Sequence, residues 1–239
     1  MSQEINTPTN SSKRPDCRSD EIHTLINTLE RYNGNNVPKL ESYLEQQCQS
    51  SEESNNYDLQ ANLALLKLYQ FNPKLFNEKY VVKILGKALM AIPGPDFNLY
   101  LYMLNEQFTS ISDISSVIEL KDLLESAHYT RFWEVLKENP GLKSQLESIV
   151  GFVKNIQVMI ACNIATTYQT IYVTEAKSYL GFEDDEGFTG FISKEGWSVD
   201  KSDQGLINLP LHKQNEAKTV VISEQIRFAQ LTKVIASSH

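Results

Sequence analysis

The chain has 239 residues, 41% of them hydrophobic, with 22 Lys+Arg against 30 Asp+Glu and a net charge of −8. This length accommodates one large domain or two smaller ones, each with its own core, and the acidic balance argues against long-range attraction to phosphates. Cys17, Cys48 and Cys162 are odd in number and share no close spacing, which excludes a disulfide framework or zinc knuckle and points to a reducing compartment.

Residues 1–19 are Asn, Thr, Ser, Pro and charges, with Ile5 the only aliphatic hydrophobe. They offer too little apolar surface to offset ordering entropy and read as a disordered tail. Met1–Glu4 carries no signal-peptide pattern, so an intracellular protein is expected.

Residues 20–168 read as a helical domain. Ile22, Leu25, Ile26 and Leu29 recur at helical spacing behind Ser19 or Asp20 as N-cap, and Asn33-Gly34-Asn35 stops that helix. Pro38 opens a second helix through Leu40, Tyr43, Leu44 and Cys48. A third carries Leu59, Leu63, Leu66 and Tyr69 and ends at Phe71-Asn72-Pro73. A fourth holds Phe76, Tyr80, Ile84, Leu85, Ala88 and Leu89 before Pro93-Gly94-Pro95. Further helices are expected near 97–108, 115–127, 129–137 and 142–168. Short joints between amphipathic helices of this length read as stacked antiparallel pairs, a HEAT/ARM-like repeat array. The apolar run from Ile156 to Ala165 is broken by Gln157 and Asn163 and reads as a buried helix rather than a membrane span.

After Tyr168 the period changes. Thr170–Val173 is β-rich, and Thr174 is placed to cap a helix that turns Ala176, Tyr179 and Leu180 inward. A second helix over Glu186–Glu195 buries Phe188, Phe191 and Ile192, with Gly196 ending it. Trp197 and Val199 alternate with polar residues, residues 201–205 form a hairpin tip, and Leu206, Ile207 and Leu209 supply the return strand. Residues 169–216 thus spell out a winged helix. Residues 217–239 form a C-terminal helix and tail with a broad apolar face. A winged helix can enter a DNA groove, but here its second helix follows Glu183-Asp184-Asp185-Glu186 and carries Lys194 as its only cation. That charge favours a protein partner.

No motif for chemistry stands up. Gly86-Lys87 lacks the other residues of a phosphate loop, since Val81 replaces its first glycine and Ala88 its Ser or Thr. Asp200–Gly205 lacks the glutamate of a calcium loop, because Leu211 holds that position. His23, His128, His212 and His239 have no ligand spacing. His128 and the pair Asp184/Asp185 read as joint and helix-start residues rather than catalysts, so no catalytic, cofactor or metal residue is expected. Trp133 reads as core, and Trp197 as either a core plug or a partner anchor.

A helical array ending in an acidic winged helix and one more apolar helix resembles the PCI-domain family. Within it, Tyr57–Pro73, Asp122–Trp133, Ser193–Ser198 and Ile235–Ser238 resemble the subunit k family of eukaryotic translation initiation factor 3. The resemblance runs from about residue 20 to the end; the departures are the longer polar N-terminus and the loop around Phe182–Gly187. It implies a non-catalytic subunit of the initiation factor that binds the small ribosomal subunit, acting in the cytoplasm, with a nuclear fraction compatible. It also implies pairing with subunit l, PCI domain against PCI domain. The interface is then expected at Trp197, Val221, Ile222, Ile226, Phe228, Leu231, Val234 and Ile235. Two other readings are a proteasome-lid or signalosome subunit, and a nucleic-acid-binding winged-helix protein.

Overall fold

The computed structural model describes residues 14–49, 56–200, 203–216, 231–232 and 235–237. They are mainly helical. Helix α1 (Asp20–Asn27) starts where the Ser19 side chain accepts from the Ile22 N–H, with Asp20 and Glu21 in its first turn favouring the dipole. It ends at Asn27, and Leu29 falls in a separate 3₁₀ turn, Leu29–Tyr32. Leu29, expected on the inward stripe, is 85% exposed because the helix stops before it.

Helices α2 (Val37–Gln49) and α3 (Leu59–Phe71) pack together. The Asp58 carboxylate caps α3 by accepting from the Ala61 N–H at 3.0 Å. Helix α4 (Glu78–Met90) is enclosed by its neighbours, with Val81, Val82, Ile84, Leu85, Ala88 and Leu89 all buried. It packs on α2, on α5 (Asp96–Met103), on α7 (Ser112–Glu125), on α9 (Pro140–Glu147) and on α10 (Phe152–Thr167). Gly86 permits the close approach of α9 and of the turn after it: a Cβ there would lie 2.8 Å from Leu146 Cδ2 and 2.6 Å from Ile149 Cδ1.

Two expected helices are each broken in two. The 97–108 segment divides into α5 and the short α6 (Glu106–Thr109), because Leu104 adopts an extended backbone. The 142–168 segment divides into α9 and α10, which meet at 91°. Gly151, in the left-handed conformation at φ 77°, makes the corner. Among the described residues no single helix is long and apolar enough to cross a membrane.

The tail expectation fails for the part that can be seen. Arg18 is buried, its Nε and Nη2 each donating to an Asp58 carboxylate oxygen at 2.6 Å. Tyr43 donates its hydroxyl to the same carboxylate at 3.2 Å, and Arg18 Nη1 donates to Gln60 at 3.1 Å. Burial opposes the charge on Arg18, but its bonds to Asp58 outweigh that and raise its pKa. An arginine with a buried carboxylate to meet does not stay in a loose tail. Residues 1–13 lie outside the described residues.

Helix α8 (Tyr129–Glu138) leads to α9, and after α10 a three-stranded antiparallel sheet forms in the order β1-β3-β2. Strand β1 is Thr170–Tyr172, β2 is Ser198–Val199 and β3 is Leu206–Asn208. Between β1 and β2 come α11 (Val173–Leu180) and α12 (Asp185–Lys194). Helix α11 starts at Val173 with Tyr172 as its cap residue, so Thr174 lies inside the first turn instead of capping it. Ile171, Ile207 and Val199 share one row of the sheet. Ile171 and Ile207 are buried, and Val199 is exposed at the edge. One hydrophobic cluster runs from Ile22 in α1 to Leu209 after β3.

A candidate protein-interaction surface

The C-terminal unit is fixed to the helices before it by side chains reaching for backbone carbonyls. Trp133 Nε1 on α8 donates to Tyr179 O at 2.9 Å, and Gln157 Nε2 on α10 donates to Leu180 O at 3.0 Å. Both satisfy carbonyls at the end of α11, where Gly181 turns left-handed at φ 69°. A Cβ at Gly181 would meet the Trp133 ring at 2.6 Å. Trp133 is therefore core, as its spacing suggested, and it also holds a joint that the spacing did not show.

Asn215 makes a second joint that sequence reasoning missed. Its Nδ2 donates to Ala165 O at 3.0 Å and Pro210 O at 2.9 Å, and its Oδ1 accepts from the His212 N–H at 2.8 Å. Gln169 Nε2 donates to Asn215 O at 2.7 Å. The chain leaving β3 is thus tied to the end of α10 shortly before residue 217. An isolated asparagine in a polar stretch carries no periodic signal that would have marked it.

The acidic run is a helix start with its own partners. Asp184 caps α12 by accepting from the Gly187 N–H at 2.7 Å. Lys137 Nζ lies 2.5 Å from Glu183, and this hydrogen bond lowers the Glu183 pKa. Lys177 pairs with Asp185. His128 Nδ1 lies 2.8 Å from Ser126 Oγ at the exposed α7–α8 joint. His128, Asp184 and Asp185, weighed for chemistry, each have a structural occupation. Lys87 donates to Gln47 O at 3.0 Å, a use unrelated to phosphate. Among the described residues no group of three or more His, Cys, Asp or Glu could hold a metal ion.

Of the interface residues named from the sequence, Trp197 is 6% exposed and belongs to the core cluster. It is a plug of that core rather than an exposed anchor, because Gly196 turns the chain left-handed at φ 76° and Trp197 follows it, its N–H bonded to Ile192 O at 2.9 Å. Leu231 and Ile235 are helical residues, 43% and 58% exposed. Val221, Ile222, Ile226, Phe228 and Val234 lie outside the described residues. Tyr172 on β1, Val199 on β2 and Leu211 after β3 add exposed apolar side chains on the same unit. Sequence reading missed these three as surface residues, since the pattern shows alternation but not which row reaches an edge.

Residues 75–219 match the model of the CSN8/PSMD8/EIF3K family. Curated relatives called eukaryotic translation initiation factor 3 subunit K match almost end to end. The Homo sapiens and Mus musculus proteins are each 37% identical over 217 residues, covering 91% of this chain and 95% of theirs. The Botryotinia fuckeliana protein is 34% identical over 239 residues, covering 93% of this chain and 94% of its own. The chain belongs to the subunit K family.

Three of the four stretches that carried the resemblance to this family lie wholly within the described residues and hold structural positions. Tyr57–Pro73 spans the Asp58 cap, all of α3 and the turn beyond it, with Asn62 bonded to Gln47 and Tyr69 donating to Glu41 at 2.6 Å. Asp122–Trp133 crosses the α7–α8 joint, where Ala127 has a positive φ of 59°. Ser193–Ser198 takes α12 into β2.

Proposed function

We propose that the chain is a non-catalytic scaffold subunit of eukaryotic translation initiation factor 3, acting in the cytoplasm in protein synthesis initiation on the small ribosomal subunit. The observation that carries this is end-to-end similarity to proteins called subunit K of that factor. Residues 20–168 act as a HEAT/ARM-like repeat array, in keeping with the α2–α3 and α4–α7 packing. Residues 169–216 act as a winged helix, in keeping with two helices set between strands of a small antiparallel sheet. Residues 217–239 supply one more helix and a tail.

The main contact is a PCI–PCI contact with subunit l, made by the C-terminal end of the chain. Exposed Leu231 and Ile235 support it, because apolar side chains gathered on one unit of a soluble protein mark interaction surfaces. Val221, Ile222, Ile226, Phe228 and Val234 belong to the same stretch of sequence. The structural occupations of His128 and Asp185 fit a protein that assembles without catalysing. The acidic α12 favours protein over nucleic acid as its neighbour.

A second reading, a proteasome-lid or signalosome subunit, draws on the family description, which names CSN8 and PSMD8 beside EIF3K. Affinity purification of the tagged chain with mass spectrometry separates the two. Recovery of initiation-factor subunits, subunit l among them, is expected. Recovery of lid or signalosome subunits instead would overturn the proposal.

A further inference from the structure

A second exposed apolar face lies at the other end of the described chain, on elements the C-terminal unit does not use. The 3₁₀ turn Leu29–Tyr32 rests against α3, and the turn Pro73–Leu75 follows the end of that helix. Leu29 is almost fully exposed, and Tyr32, Phe71 and Leu75 are exposed as well. The Tyr32 and Phe71 rings are 6.1 Å apart, Leu75 Cδ1 lies 3.4 Å from where a Cβ at Gly34 would stand, and Leu29 stands three residues before Tyr32 in the same 3₁₀ turn, the spacing that puts two side chains on one side. An exposed cluster of two aromatic rings and two leucines is of the kind that marks an interaction site.

Its rim has the opposite sign from the protein as a whole. Arg31 sits over the Tyr32 ring at 5.3 Å and Lys67 over the Phe71 ring at 5.4 Å, with Lys74 exposed between Pro73 and Leu75. Among the described residues no carboxylate forms an ion pair with Arg31, Lys67 or Lys74. Of the two nearest acids in sequence, Glu30 accepts from the Asn33 and Asn36 amides at 3.0 Å, and Glu78 starts α4. Three cations without ion-pair partners around an apolar patch, on a chain of net charge −8, form a local electrostatic target.

We propose that Leu29, Tyr32, Phe71 and Leu75 dock a short acidic segment of a partner protein, with Arg31, Lys67 and Lys74 receiving its carboxylates. The segment must carry an aromatic or aliphatic residue to cover the patch, since rim charges alone steer association more than they hold it. Single-stranded nucleic acid fits less well. Each ring already has a cation over it, and Leu29 and Leu75 offer no surface for base stacking. A second copy of this chain also fits less well, because a two-fold contact would set Arg31, Lys67 and Lys74 against their own counterparts.

The test is selection of a random short-peptide display library on the full-length chain, in parallel with a Leu29→Ser/Phe71→Ser variant shown by thermal melting to be folded. The expected result is that peptides recovered only on the unsubstituted chain carry an excess of Asp and Glu around an aromatic or aliphatic residue. A synthetic copy of such a peptide should bind about tenfold or more weakly to an Arg31→Glu/Lys67→Glu variant. That variant keeps the apolar patch intact and is a second route if the first fails to fold. The proposal is overturned if no peptide is selectively recovered, if the recovered peptides lack acidic excess, or if charge reversal leaves affinity unchanged. It is equally overturned if oligouridylate binds the patch and is lost on charge reversal, or if the chain dimerises through it.

Discussion

Around α1–α3 the chain takes charge into its interior, whereas around α11–α12 it leaves charge in water. Arg18 and Asp58 are both buried and bonded on every side, with Tyr43, Gln60 and the cap of α3 sharing the load. The acidic run Glu183–Glu186 meets Lys137 and Lys177 at the surface, where Glu183, Asp185 and Lys137 stay exposed. The two regions contain the same chemistry, an ammonium or guanidinium beside a carboxylate. What differs is the medium: a buried charge without its partner costs several kcal/mol, while an exposed pair is screened and worth little. The interior pair therefore fixes where the chain must lie, and the surface pairs add little to where the C-terminal unit sits.

The comparison breaks first at Arg18. Replacing it by alanine leaves the buried Asp58 carboxyl without its cation, and urea denaturation should show a loss of about 3–5 kcal/mol. A loss below about 1 kcal/mol would show that water reaches Asp58 and that the interior is not closed. Next in size is Gly181→Ala, which forces a side chain into a left-handed residue against the Trp133 ring. A loss of about 1–3 kcal/mol is expected, and an unchanged midpoint would mean that α8 and α11 are not packed as described.

Asp96 sharpens the same contrast through pH. Burial raises its carboxyl pKa above the ordinary 3.8, with the Tyr57 hydrogen bond opposing in part. A carboxyl raised on folding contributes stability that is full below the unfolded value and lost as pH rises through the folded value. Asp96→Asn cannot titrate, so relative to the parent it should gain stability as pH rises through and above the ordinary carboxylate range. Urea midpoints across that range check this, and a constant difference would contradict it. The smallest effect belongs to Lys177→Met, which removes the surface pair with Asp185. A change of about 0–1 kcal/mol, fading in high salt, is expected.

How much of this could be read in the chain depends on how local the signal is. The start of α1 was legible because Ser19 caps a helix whose apolar spacing follows at once. The two helices and three strands after Tyr168 were legible because the period changes there. The Gly151 corner was hidden inside an apolar run that continues through it, and no count of hydrophobic residues shows a positive φ. Arg18 was read as tail because its partner lies 40 residues away, and Asn215 was missed for the same reason. Leu29 was read into a helix that ends two residues earlier, so its exposure beside the Tyr32–Phe71 pair came only from the folded arrangement. At the C-terminal end, Leu231 and Ile235 were chosen for their spacing and are exposed. Trp197 was chosen for its type, which does not tell a buried ring from an exposed one.

Capture of subunit l by the purified chain measures the assembly role most directly. Leu231→Asp with Ile235→Asp changes two exposed side chains, so the melting temperature should stay within about 2 °C of the parent. The C-terminal contact predicts that this folded variant loses most of its subunit l in a quantitative pull-down, while Lys177→Met retains it. Full capture of subunit l by the folded double variant would contradict that contact and place assembly on another surface of the chain.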